Sequence, residues 1–213
     1  MADRIRIGTR SSPLALKQVD EIIQLFGLKN LEVITYNTTG DMDKKTPLPE
    51  MEDTNFFTDI IDRALIMDDI DCAVHSAKDL PDKLSAGLKI AVLTEAIDLS
   101  DALVSKNDLK LNELPKGARI GASSIRRKEQ LKKFRSDFHP VDIRGNVDDR
   151  LKKFELSELD GLIVAASALI RLGLENRIAE RLPIEIFKPH PLQGSLAVVV
   201  RKDDYETEKI FKK

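Results

Sequence analysis

Asp71-Cys-Ala-Val-His-Ser-Ala-Lys-Asp-Leu-Pro81 is the stretch from which the fold can be read. Cys72, Ala73 and Val74 are small and apolar and read as a short buried strand, and Pro81 stops any long helix after it. In between, His75, Ser76, Lys78 and Asp79 gather an imidazole, a hydroxyl, an ammonium and a carboxylate at the C-terminal end of the strand. Ligands of open α/β sheets sit in the crevice beyond that end, so a polar cluster here is a candidate site. The same residues also suit a plain solvated turn, and the stretch alone does not separate the two readings.

Working outward to the N-terminus, Arg4-Ile-Arg-Ile-Gly8 alternates as an opening strand that Gly8 is expected to end. Ser11-Ser-Pro13 then starts a helix, because serine caps well and proline is tolerated in the first turn. Leu14, Ala15, Val19, Ile22, Ile23 and Phe26 carry that helix to Gly27, and Leu31–Thr35 is the next strand. Residues 36–53 are polar and periodless, too long for an ordinary connection, and read as a mobile functional loop or a disordered segment. Phe56–Met67 returns to helical spacing.

Outward to the C-terminus, Leu88–Leu93 and Asp101–Ser105 are strands that bracket a crossing into a second lobe. Arg119-Ile-Gly-Ala-Ser-Ser124 echoes Arg6-Ile-Gly-Thr-Arg-Ser-Ser12: strand, glycine, hydroxyl-rich turn, helix. Chance and ordinary βα grammar are alternative explanations of so short a repeat. Phe138–Ile143 is a strand, and Arg144-Gly-Asn-Val147 turns into a helix running to Leu156. Gly161–Ala165 is a buried strand followed by helices through Arg171 and Arg177; Leu196–Arg201 is a late strand, and a helix begins after Asp203. Strands alternating with helices throughout define an α/β protein with two lobes and a cleft. The expected division is 1–96 with 194–213 returning, and 97–193.

Composition narrows the function. A chain of 213 residues suits two domains of about 100 each. A net charge of -2 and the absence of tryptophan give no basic surface or stacking platform, so neither nucleic acid nor a membrane is an expected partner. The single cysteine excludes an intramolecular disulfide and a cysteine-rich metal site. With no long apolar run and no signal peptide, a cytoplasmic protein is expected.

The second lobe concentrates arginine at element junctions. Arg126 and Arg127 fall in the first turn of the helix that Ser123 or Ser124 caps, Arg144 sits at a strand end and Arg150 lies in the next helix. Near a helix N-terminus an arginine opposes the dipole, which makes sense if an anion shares the site and is gripped by guanidinium forks and free N–H groups together. Arg10, after the Gly8 turn, is placed to join them. Scattered surface salt bridges are the alternative. Asp79 adds a carboxylate to this cationic set, suited to holding positive charge that develops on a substrate or to moving a proton. His75 reads as a structural hydrogen-bond partner and Cys72 as a small hydrophobe of the strand.

Arg6-Ile-Gly-Thr-Arg-Ser-Ser-Pro-Leu-Ala-Leu16, Ala73-Val-His-Ser-Ala-Lys-Asp-Leu-Pro81, Gly121-Ala-Ser-Ser-Ile-Arg-Arg127, Ile143-Arg-Gly-Asn-Val147 and Pro191-Leu-Gln-Gly194 resemble, in order, the motifs of the porphobilinogen deaminases, also called hydroxymethylbilane synthases. The resemblance implies two lobes like those of periplasmic binding proteins, followed in the family by a third, smaller domain that this sequence is expected to lack. It implies that four porphobilinogen molecules are joined head to tail with loss of ammonia on a dipyrromethane cofactor. By the same resemblance Asp79 hydrogen-bonds pyrrole N–H groups and stabilises the cation formed as ammonia leaves. Arg10, Ser12, Ser76, Lys78, Ser124, Arg126, Arg127, Arg144, Arg150 and Arg171 bind acetate and propionate groups, and Gln193 lies in a matching motif. Two departures stand out: Cys72 is not at the family's thioether position, and Pro49–Phe57 is acidic where the family is basic, with Lys44 and Lys45 as substitutes. The competing expectation is a non-catalytic pyrrole- or polycarboxylate-binding protein, or one that depends on a separately supplied third domain. A monomer is expected otherwise.

Overall fold

The computed structural model describes residues 4–38 and 57–212, so residues 39–53 of the expected loop, with Lys44 and Lys45, lie outside the described residues, while Tyr36 belongs to the preceding strand. Its elements in chain order are β1 (Ile5–Arg10), α1 (Pro13–Phe26), β2 (Leu31–Tyr36), α2 (Asp59–Ile66), β3 (Cys72–Ser76), β4 (Leu88–Leu93), β5 (Asp101–Ser105), β6 (Arg119–Gly121), α3 (Ile125–Phe134), β7 (His139–Val141), α4 (Val147–Glu155), β8 (Gly161–Ala165), α5 (Ala166–Arg171), β9 (Glu180–Arg181), β10 (Leu196–Arg201) and α6 (Tyr205–Ile210). They form two units, whose described parts are residues 4–38, 57–96 and 195–212, and residues 97–194.

The first unit is built on a sheet of order β2-β1-β3-β10-β4, with β1 parallel to β2 and β3, and β10 antiparallel to β3 and β4. The second repeats the plan as β7-β6-β8-β5-β9, with β6 parallel to β7 and β8, and β5 antiparallel to β8 and β9. Each sheet has apolar clusters on both faces. In the first, Cys72 and Val74 pack with Val19 and Ile22 of α1, while Ala73 packs with Ile61 and Leu65 of α2. That is the strand alternation of a sheet covered on both sides.

The short echo in the sequence occupies equivalent positions in the two sheets. The Arg6 and Arg119 backbone N–H groups each donate to an aspartate carboxylate, Asp71 at 2.7 Å and Asp160 at 2.8 Å. Each aspartate N–H in turn donates to the same arginine's carbonyl, at 2.9 and 2.8 Å. The residue before each aspartate fills the space beside a glycine. A Cβ on Gly8 would lie 2.2 Å from Ile70 Cδ1, and one on Gly121 would lie 3.1 Å from Leu159 Cδ1.

This explains why β1 does not stop at Gly8. The sequence reads that glycine as an ending, whereas the strand runs on to Arg10 and Gly8 serves close packing within it. Smaller differences follow similar local causes. β7 covers only His139–Val141, with Pro140 on an edge strand where a missing N–H is tolerated. α5 ends before Gly173, whose φ of 69° is left-handed, so the segment through Arg177 is a separate 3₁₀ turn. The two-residue β9 carries no pattern long enough to read from sequence.

Among the described residues, no helix is long and apolar enough to cross a membrane. Nor is any group of three or more His, Cys, Asp or Glu side chains placed to hold a metal ion.

Candidate active site

In the first unit, the parallel pairing of Gly8 with Ala73 brings the C-terminal ends of β1 and β3 to one edge. Arg10 ends β1, Ser76 ends β3, and a 3₁₀ turn over Ala77–Asp79 carries Lys78 and Asp79 beyond it. The Ser195 carbonyl accepts the Ala77 N–H at 3.0 Å and fixes the start of that turn. Arg10 Nη1 lies 3.7 Å from Asp79 Oδ2, with the two side chains 22% and 29% exposed. The Arg10 guanidinium also stacks over the Phe57 ring, 4.7 Å from its centroid. Asp79 is therefore an accessible carboxylate steadied by a cation that is itself held in place.

Hydroxyls at this edge have assigned partners. Ser12 caps α1, accepting the Ala15 N–H at 3.2 Å, and Ser76 accepts from Gln18 Nε2 at 2.7 Å. His75 is 4% exposed, and its Nε2 is buried without a hydrogen-bond partner. Burial lowers its pKa to about 4; the Asp79 charge opposes that shift and the Arg10 charge adds to it. The ring is neutral at physiological pH. Cys72 is fully buried, and burial pushes its thiol far above the usual range, with Asp71 adding to the effect.

In the second unit, Ser124 caps α3 by accepting the Arg127 N–H at 3.3 Å. This sets Arg126 and Arg127 in the first turn, where Asp101 meets both of them. Arg127 Nη2 donates to Asp101 Oδ1 at 2.6 Å and Arg126 Nη2 to Oδ2 at 3.1 Å. Gln193 Nε2 donates to Oδ1 at 2.9 Å. Burial works to raise the Asp101 pKa, but the Arg127 and Arg126 charges and these hydrogen bonds outweigh it and hold the group at about 2.

The other arginines sit further along the same unit. Arg144 follows β7, and its carbonyl accepts from Lys153 Nζ at 2.7 Å. Arg144 also lines an open pocket of about 210 Å³ together with Arg119 and Lys153. Arg150 Nε donates to the Gly145 carbonyl at 2.7 Å, and Arg171 Nη2 to the Gly194 carbonyl at 2.8 Å. The structure thus gathers Arg10, Ser76, Lys78 and Asp79 at one sheet edge, and Ser124, Arg126, Arg127 and Gln193 around Asp101 at another. Asp101 and Gln18 are not among the site residues expected from the sequence, which places Asp101 only at the start of a strand. The available signal for Asp101 is a carboxylate opening an apolar strand, since a charge so placed must be paired.

These features define a class first: two α/β units of the periplasmic-binding-protein type. The solved structure of the methionine binding protein MetQ is similar at a TM-score of 0.53 and 14% identity, covering 98% of this chain and 88% of that one. That likeness shows the fold alone. The family profile described as "Porphobilinogen deaminase, dipyromethane cofactor binding domain" matches residues 5–209. The porphobilinogen deaminase of Chlorobium phaeovibrioides is 42% identical, covering 100% of this chain and 69% of the relative. That of Desulforamulus reducens is 40% identical, covering 100% of this chain and 70% of the relative. The chain belongs to the porphobilinogen deaminase family, transferases of porphyrin and heme biosynthesis.

Proposed function

We propose that the chain joins four porphobilinogen molecules head to tail into hydroxymethylbilane and releases ammonia at each join. The observation that carries this reading is Asp79: a partly exposed carboxylate beyond β3, with Arg10 at 3.7 Å. A site built only to grip carboxylates gains nothing from an acid in its midst. Asp79 suits a substrate that turns cationic. As the protonated aminomethyl group departs as ammonia, positive charge remains on the pyrrole, and a carboxylate accepting the ring N–H stabilises it. When the next pyrrole carbon has formed its bond, the proton that it loses has an acceptor in the same carboxylate. Arg10, at 3.7 Å, orients Asp79 for both steps.

Lys78, Arg126, Arg144, Arg150 and Arg171, with Ser12, Ser76, Ser124 and Gln193, supply donors of the kind that acetate and propionate groups require. The same donors fit dipyrromethane, which when bound supplies the pyrrole carbon to which the first substrate joins. Cys72 does not fit as the attachment point, since it is enclosed in the first unit's core and its thiol is held protonated. The resemblance places the family's thioether in a third domain, at a residue other than Cys72. The same closed cysteine is what favours the second reading, a protein that binds the pyrrole without turning it over.

Calorimetric titration with porphobilinogen at two ionic strengths tests the site. The expected result is an affinity that falls as salt rises, and a further loss of about tenfold, roughly 1.4 kcal/mol, in Arg126→Ala. Affinity indifferent to salt and to that substitution would place the binding site elsewhere.

A further inference from the structure

Arg126 and Arg127 are adjacent cations in the first turn of α3, where they repel each other and oppose the positive end of the helix. One carboxylate offsets both. Asp101 is 0% exposed, and its two oxygens are taken up by Arg127, Gln193 and Arg126 at 2.6, 2.9 and 3.1 Å. Gln193 Nε2 also donates to the Leu99 carbonyl at 2.7 Å, which anchors the partner of the carboxylate in turn. Asp101 is sealed from solvent, so it acts through the groups that it binds, the two arginines and Gln193.

The two guanidiniums are not equivalent. The Arg127 side chain is 8% exposed and is spent on Asp101, whereas that of Arg126 is 30% exposed. Arg126 is nevertheless held at both ends: Nη2 by Asp101, and Nη1 by Gln130 Oε1 at 3.1 Å and by the Lys188 carbonyl. A long side chain with its fork fixed this way has lost its rotamer freedom before any ligand arrives, so an incoming anion need not supply that ordering cost. Two cations against one carboxylate also leave a single positive charge, which reaches solvent mainly through Arg126.

We propose that Asp101 is a positioning residue for ligand recognition: it presets the Arg126 fork and reduces the arginine pair to one net charge, making this the seat of a single carboxylate. The identity of that carboxylate, a porphobilinogen acetate or propionate, rests on the proposed function. The geometry does not.

Asp101→Asn alone leaves Arg127 buried without a counter-ion and is expected to destabilise the fold. It is therefore compared with the double variant Asp101→Asn/Arg127→Met, which removes the buried pair together and keeps its volume. The readouts are the melting temperature, the rotation of the Arg126 guanidinium by NMR, and porphobilinogen affinity by calorimetry. The expected result is a double variant that melts within a few degrees of wild type, in which Arg126 rotates freely and affinity is about tenfold weaker. A double variant with wild-type melting, a restrained Arg126 and unchanged affinity would assign Asp101 a structural role only and overturn the proposal. Should the wild type bind no porphobilinogen, the functional reading fails, and the NMR comparison by itself decides whether Asp101 positions Arg126.

Discussion

His75 and Asp79 stand four positions apart and face opposite environments. Asp79 reaches solvent beside Arg10, whereas His75 is enclosed and kept neutral by burial, with its pKa at about 4 against an ordinary 6.5. The unfolded chain therefore takes up a proton on this residue first as pH falls. Stability declines from about pH 6.5 and levels off once pH passes below about 4, where the folded form is also protonated. The shift corresponds to a loss on the order of 3 kcal/mol. Urea unfolding at pH 7 and pH 4 should show a fall larger by that amount in wild type than in His75→Gln, which cannot take the proton. Parallel pH profiles for the two proteins would show that His75 is not the neutral buried group described here. The sequence does not reveal this consequence, because β3 is enclosed by elements from distant parts of the chain: β1 and β10 flank it in the sheet, and α2 packs against it.

At the scale of elements, the glycines of β1 and β6 show what a pattern can and cannot reveal. Alternation located β1 and the echo of its sequence located β6, and serines marked the starts of α1 and α3, since capping is a local matter between neighbours. The end of β1 was not legible. Gly8 is small because Ile70, on the turn before β3, occupies the space a Cβ would fill. Gly8→Ala should cost about 1–3 kcal/mol by overpacking, since Ile70 is 0% exposed and has little room to move. Ile70→Val removes the Cδ1 atom at the point of conflict. The double variant Gly8→Ala/Ile70→Val should therefore regain part of that loss in denaturant unfolding. A double variant less stable than the sum of the two single changes would contradict this packing account. The Gly121→Ala equivalent, facing Leu159 Cδ1 at 3.1 Å, should cost less.

At the scale of the molecule, Arg10 and Ser76 end neighbouring parallel strands of the first sheet, with Lys78 and Asp79 on the turn that follows. Ser76, Lys78 and Asp79 could be grouped from the sequence because they follow an apolar strand in one short run, and Arg10 because it follows Gly8 in the opening strand. Asp101 could not: it lies in an unremarkable strand, and its partners come from α3 and from Gln193, remote in sequence and joined to it only by the fold of the second unit. Membership of the porphobilinogen deaminase family rests on the whole length of the chain, which spans 69% of the Chlorobium phaeovibrioides relative. The chemistry proposed for it rests on one carboxylate. The direct test is ammonia release from porphobilinogen by wild type and Asp79→Asn, each at saturating substrate with affinity measured alongside. The account predicts release by wild type and a rate at least about 100-fold lower in the variant, with affinity within a few-fold. Equal rates of ammonia release in the two proteins would contradict it.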